Sequence, residues 1–535
     1  MRNDQTADQS GLVSGLVSEL FGAVYDGADD EVVRLLRAGV SAEAMDADGV
    51  TALYVAAVTD EPGIVRLLLA AGAHPDRLSE GTDLPLCGAA CGGHTEVVRS
   101  LLAAGARADL AEEFGFTALS WAVQLGRAAV AEALLSGGAD PGLPGPDGRP
   151  PLVAAACRGS VDTVRALLRH GATERRAALD EARRWLGRDI PGELRRTLAE
   201  GERDEIVVRE VPEGEGVTLI AELFRDDESC AGREQQTGHG AIATLLERDL
   251  GLRSPFGELL DRALPFQDPQ NENWTESVAE LQRRGDEPTY RAAAALTRSP
   301  EPWRRVFAVD VLAQLGFTEG EHPFAARALP LLRDAAATIP GPDSTDTDTD
   351  STDADADAAQ SQLIQALLLA FAHYGDPVAL DDVLRYAGHP DAAVRRRVAF
   401  ALDGLLPAGH SAGTEVLIAL SRDADAEVRD WATSALAGAD TASDAEPDAG
   451  SDAEPDAVRD ALAARLADRD PTVRAEAARG LALRGDPRAP DALLRLLEGA
   501  DPGGYAYATA QEAVDAIGDP GLRRRLRQTV SRYRG

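Results

Sequence analysis

Five leucines fall at Leu20, Leu53, Leu86, Leu119 and Leu152, and five glycines at Gly39, Gly72, Gly105, Gly138 and Gly171, each series stepping by 33 residues. A fixed period of this size marks stacked supersecondary units, none of which can bury its apolar face alone. Further columns share the step: Ala23, Ala56, Ala89, Ala122 and Ala155, and the pairs Leu35-Leu36, Leu68-Leu69, Leu101-Leu102, Leu134-Leu135 and Leu167-Leu168. Val32, Val65, Val98 and Val164 form another column, broken once at Ala131. Small residues on a first helix let a second approach closely, and the leucine pair fills the seam to the next unit. The glycine then ends the second helix at a left-handed cap.

Thr51-Ala52-Leu53-Tyr54-Val55-Ala56-Ala57 and Thr117-Ala118-Leu119-Ser120-Trp121-Ala122 resemble the signature of the ankyrin family, and Gly93-His94 and Gly72-Ala73-His74-Pro75-Asp76 resemble its two turns. The resemblance covers residues 16–175 as five repeats. It departs at Leu84 and Pro150, which replace the signature threonine, so the local turn hydrogen bonds are expected to differ there. The resemblance implies a protein partner on the concave face. Contacts would come from the finger tips, Asp48 and Val50, Glu80 and Asp83, Glu113, Phe114 and Phe116, Asp147 and Arg149, and from the helix positions Gln124 and Arg158. Aromatic residues make up only 4% of the chain, so two in one polar loop make Phe114 and Phe116 the candidate anchors.

From about residue 274 the period changes. Asp470-Pro471-Thr472-Val473-Arg474 leads a helix with Ala477 and Leu481 on one face, and the frame recurs at Val428-Arg429 and Val394-Arg395, with a looser copy at Trp303-Arg304. Gly375-Asp376-Pro377, Gly485-Asp486-Pro487 and Gly518-Asp519-Pro520 each read as a helix stop followed by a capped restart. This half resembles the short bacterial HEAT repeats, about seven helix pairs over residues 274–535. Two inserts of Asp, Ala, Ser, Thr and little else, 341–358 and 439–457, carry too little apolar surface to offset their ordering entropy and are expected to be disordered. The polar residues 1–15 are expected to be disordered as well.

Residues 176–273 read as capping helices, Ala177 to Trp185 and Ile190 to Glu200, and an irregular connector. A β-hairpin is expected where Glu205 to Glu210 and Val217 to Phe224 flank Pro212-Glu213-Gly214-Glu215-Gly216. Gly238-His239-Gly240-Ala241-Ile242 to Leu246 resembles a stray second ankyrin helix.

The formal charge of -36 argues against nucleic acid and anionic membranes as partners. The ladder Arg304, Arg395, Arg429 and Arg474 could in principle track phosphates, but the HEAT resemblance implies pairing with acids of the neighbouring turn. All 54 basic residues are arginine, a usage that points to a high-GC bacterial genome. No signal-peptide pattern opens the chain and no apolar run reaches about 18 residues, so a cytoplasmic protein without a membrane span is expected. Cys87, Cys91, Cys157 and Cys230 have neither disulfide-framework nor metal-site spacing. Cys230 with His239 is the best catalytic pair, yet the acids at 226–228 would raise a thiol pKa.

The expectation is an all-α solenoid, an ankyrin stack followed by a HEAT-like superhelix with a small β-hairpin between them. It would act as a monomeric, non-catalytic scaffold for an unidentified protein, without cofactor or metal. The alternative is a HEAT-repeat enzyme or enzyme accessory similar to bilin lyases.

Overall fold

The computed structural model describes residues 15–79, 81–199, 205–225, 228–317, 322–339, 354–439 and 453–532. The chain forms two compact units, residues 1–280 and 281–535. The first opens with five helix pairs: α1 (15–25) and α2 (Asp29–Arg37), α3 (Ala52–Val58) and α4 (Pro62–Ala70), α5 (Pro85–Gly92) and α6 (Thr95–Ala103), α7 (Ala118–Gln124) and α8 (Ala128–Ser136), α9 (Pro151–Arg158) and α10 (Val161–Arg169). The periodic leucines and alanines line one continuous core. The five periodic glycines all have φ between 90° and 100°, the left-handed cap that only glycine adopts without strain.

Hydrogen bonds between repeats keep the same step. Glu43, Asp76 and Asp109 accept from the backbone N–H groups of His74, Arg107 and Asp140, at 2.6, 3.0 and 2.9 Å. The N-cap amide of Thr51 donates to Ser79 Oγ at 3.1 Å, and that of Leu84 to Glu112 Oε1 at 3.0 Å. Leu84 therefore loses a side-chain cap without leaving its amide unmet. The next position in that column is Gly145, which has no side chain; Thr117 turns instead to Ser120 Oγ at 2.8 Å in a capping box. Pro150 has no N–H to satisfy.

After the fifth pair come α11 (Arg175–Trp185), α12 (Ile190–Leu198), the strands β1 (Glu205–Glu213), β2 (Gly216–Arg225) and β3 (Glu228–Gln236), then α13 (His239–Asp249), α14 (Phe256–Ala263) and the start of α15 (Glu272–Arg284). The hairpin expectation holds for β1 and β2. The polar stretch after it adds a third strand, so the sheet is antiparallel in the order β1-β2-β3.

The two capping helices do not pair with each other. Leu194 and Leu198 of α12 pack on Leu219 and Ala221 of the sheet in a small core of their own. The partner of α11 is α13, whose Ala241, Ile242, Leu245 and Leu246 join the main core. Arg183 of α11 and Arg262 of α14 both reach the buried Glu247 of α13, each at 2.8 Å. In the third repeat His94 Nε2 lies 3.2 Å from the carbonyl of Val58; His239 Nε2 lies 3.2 Å from that of Cys157, the same repeat position three steps later. Helix α13 is thus the second helix of a sixth pair, separated from its first by α12 and the sheet.

The second unit continues with α16 (Glu287–Leu296), α17 (Pro302–Gly316), α18 (Ala325–Ala337), α19 (Ala354–Tyr374), α20 (Leu380–Leu384), α21 (Ala392–Leu405), α22 (Ser411–Leu420), α23 (Ala426–Gly438), α24 (Ala453–Arg465), α25 (Pro471–Leu483), α26 (Ala489–Gly499), α27 (Tyr505–Ala513) and α28 (Pro520–Arg532). The odd-numbered helices α17 to α27 stack in succession, each flanked by the even-numbered helix before it. Asp391, Asp425 and Asp470 cap α21, α23 and α25 through their side chains. The Gly-Asp-Pro connectors use a left-handed glycine at Gly375 and Gly485 but not at Gly518. Of the two inserts, 341–353 and 440–452 lie outside the described residues, as do 1–14; residues 354–358 and 453–457 are helical, which corrects the expected extent of both loops.

Candidate functional site

Finger tips in the first unit are short antiparallel turns, bridged at Met45 with Thr51, Ser79 with Asp83 and Ala111 with Thr117. They hold the candidate side chains in different ways. Asp48 and Glu113 are exposed, Val50 leans on the core and Asp83 is half-buried with its carboxylate accepting from Thr82 Oγ1; Glu80 lies outside the described residues. The two aromatics divide. Phe114 is 78% exposed, whereas Phe116 stacks on Trp121 with centroids 4.1 Å apart. Trp121 is fixed in turn by Nε1 donating to Glu112 Oε2 at 3.0 Å.

Five candidates meet in one place. Phe116, Gln124, Asp147, Arg149 and Arg158 line one side of a cleft of about 630 Å³. Its other side was not legible in the sequence: Trp185, Glu193 and Thr197 from α11 and α12, and Gly232 to Gln235 of β3. Asp48, Val50, Asp83, Glu113 and Phe114 do not line it. Asp147 accepts from the backbone N–H of Arg149 and lies 3.5 Å from its Nε. Both remain more than half exposed, and Arg149 also reaches Cys157 Sγ at 3.6 Å, so the cleft mouth offers an exposed acid–guanidinium pair.

Arg158 is engaged by the chain itself. Its side chain is only 10% exposed and donates to the Glu234 carbonyl, to Glu234 Oε2 at 3.0 Å and to the Leu125 carbonyl at 3.4 Å. Burial holds its pKa below the usual arginine value, against the pull of Glu234. Gln235 Nε2 donates to the carbonyls of Cys157 and Arg158 at 2.8 and 2.7 Å, and Gly238 N–H to that of Gly159 at 3.1 Å. A Cβ on Gly159 would collide with the Gln236 carbonyl, so glycine there permits the sheet's approach. Strand β3 and the turn after it are therefore docked on the end of α9 by polar contacts.

The chemical candidates do not converge. The side chain of Cys230 lies outside the described residues. His239 is 2% exposed and stacks on Trp185 at 4.9 Å; burial pushes its pKa down to about 4, leaving a neutral ring committed to packing. Burial likewise raises the thiols of Cys87, Cys91 and Cys157, the reverse of nucleophile activation. Among the described residues no group of His, Cys, Asp and Glu could hold a metal ion, and no helix is long and apolar enough to cross a membrane.

In the second unit the arginine ladder is internal. Arg395 grips Asp423 with two bonds of 2.7 and 2.9 Å, and Arg429 grips Asp468 with two of 3.0 and 2.9 Å, each also donating to carbonyls at the start of its helix. Arg474 keeps the carbonyl bonds, to Asp468 and Arg469. Arg395 and Arg429 thus staple one turn to the next, as the HEAT resemblance implied; Arg474 does not, and Arg304 pairs within its own first turn with Glu301 at 2.8 Å. Phe400 and Trp431 meet edge to face at 5.0 Å, with Trp431 37% exposed.

Comparison with family models places these elements. The model for ankyrin repeats (3 copies) matches residues 20–110, 79–144 and 119–190, and that for HEAT repeats matches 449–530. The N-terminal region therefore carries ankyrin repeats and the C-terminal region HEAT repeats, as their residue columns implied. Repeats of both kinds are commonly protein-interaction scaffolds. No curated protein matches the chain.

Proposed function

We propose that this chain, with ankyrin repeats over 20–190 and HEAT repeats over 449–530, is a non-catalytic scaffold that captures a protein partner on the finger side of its ankyrin stack. The observation that carries the reading is the convergence of Phe116, Gln124, Asp147, Arg149 and Arg158 on one cleft, with the exposed Phe114 on the same finger as Phe116. A large aromatic ring left in water on one finger tip, with an exposed acid–guanidinium pair on the following finger, is the composition of an interface anchor with a polar rim. The inserted sheet narrows the surface: Arg158 belongs to the wall and not to the contact set. A cytoplasmic, monomeric protein fits this role.

Affinity capture from native lysate tests it. The Phe114→Ala variant and the double variant Asp147→Ala with Arg149→Ala should each lose at least about tenfold of the captured partner, with unchanged melting. Full capture by both, with loss in Trp431→Ala, would move the site to the HEAT repeats.

A further inference from the structure

A second cavity, of about 330 Å³, lies where the N-termini of α8 and α10 meet the β1–β2 turn and the start of α15. That volume sits at the small end of ligand sites, about 300–1,000 Å³. One wall carries two helix N-termini and Arg127, with Asp162, already paired with Arg165, in the first turn of α10. Neither helix has a side-chain cap, and the hydroxyl of Ser160 is taken by that of Thr163 at 2.8 Å; the Ala128 amide is met by the Gly126 carbonyl at 3.0 Å, so what two nine-residue helices bring to the cavity is the positive end of each dipole and the uncapped amides behind it. Arg127, at the start of α8, adds a buried Nε without a partner.

The facing wall is acidic and also incomplete. Glu272, 8% exposed, lines the cavity, and its carboxyl has no hydrogen-bond or ion-pair partner among the described residues. Gln236 Oε1, which lies against Gly126 just before α8, is also buried without a donor. Glu213 beside them is satisfied by Thr218 and Gln236, at 2.6 and 2.8 Å. The groups that act on Glu272 are Asp162 and Arg165 of α10, Glu215 of the β1–β2 turn and Glu276 of α15. Arg165, the one cation among them, is already held by Glu276 at 2.7 Å and Asp162 at 3.0 Å. Burial therefore keeps Glu272 protonated up to about pH 8.

We propose that this cavity binds a small zwitterion, a free α-amino acid with a short side chain. Its carboxylate lies against Arg127 and the N-termini of α8 and α10, and its ammonium against Glu272. A simple anion would leave Glu272 unmet. A simple amine would leave Arg127 and both helix N-termini unmet. The inference does not depend on the scaffold reading.

Calorimetric titration of the full chain at pH 7, in two buffers of different ionisation enthalpy, tests it with glycine and L-alanine as probes and acetate and methylamine as half-ligands. Each zwitterion should bind saturably at one site and release about one proton as Glu272 ionises against the ammonium, while each half-ligand binds at least about tenfold more weakly. Glu272→Gln should abolish the proton release and weaken L-alanine at least about tenfold; Arg127→Gln should weaken it while preserving the release. The proposal is overturned by no heat from either zwitterion, by binding without proton release, by acetate or methylamine matching L-alanine, or by undiminished binding in Glu272→Gln.

Discussion

Replacing Glu272 with glutamine should stabilise the first unit, by an amount that grows with pH. Glutamine is isosteric with the protonated acid and cannot ionise. In the folded chain burial raises the Glu272 pKa from the ordinary value of 4.5 to about 8. Between those values the folded state holds a proton that the unfolded state has released, so stability falls as pH rises through that window. The gap, at about 1.4 kcal/mol per pH unit, amounts to about 5 kcal/mol once both states are ionised. At pH 5 the loss is under about 1 kcal/mol, and at pH 7 about 3 kcal/mol. Each kcal/mol moves the midpoint of a unit this size by about 2–4 °C. Scanning calorimetry of both proteins should therefore give nearly coincident melting at pH 5, with the variant about 10 °C or more ahead at pH 9. Parallel profiles from pH 5 to 9 would refute the reasoning, because Glu272 would then have a partner in the folded state or stand in water.

The two finger aromatics should separate in stability: Phe116→Ala loses the Trp121 stack and costs about 1–3 kcal/mol in urea unfolding, whereas Phe114→Ala stays within about 0.5 kcal/mol. For His239, whose folded pKa is lowered to about 4, the unfolded state binds the proton first. The His239 contribution should be complete above about pH 6.5 and fall as pH drops towards 4; His239→Phe should remove that contribution, and the His239 ring titrating near 6.5 by NMR in the folded protein would contradict it. In the HEAT repeats Arg429→Ala should cost about 1–3 kcal/mol, since Asp468 loses its fork but keeps Arg465 at 3.4 Å, and Arg429→Lys should recover only part of that, since an ammonium cannot make the paired bonds. Equal stability of the lysine and wild-type proteins would show that geometry at this pair is unimportant.

The repeats were legible because the signal is local and periodic. Stacking needs a small residue, a leucine pair and a left-handed glycine at each step, and those columns could be read to the last pair. Even the departures at Leu84 and Pro150 have local remedies, though the role of Glu112 became visible only once the next finger stood beside Leu84. In the candidate site, Phe116, Gln124, Asp147 and Arg149 follow from repeat position alone. Trp185, Glu193 and Gly232 to Gln235 do not, because α12 and β3 obey no repeat. Strand β3 is nearly devoid of apolar residues, so no alternation marks it.

What the sequence alone determined is the pair of helical arrays and the positions that face outward from the first. Each depends on contacts between neighbouring turns, which recur at a constant spacing. Only the tertiary structure decided that α13 completes the sixth pair across an inserted sheet, that Arg158 is spent on Glu234, and that Glu272 is buried beside two uncapped helices. These contacts join residues far apart in the chain, once each, through carbonyls and polar side chains. A contact made once leaves no period to read.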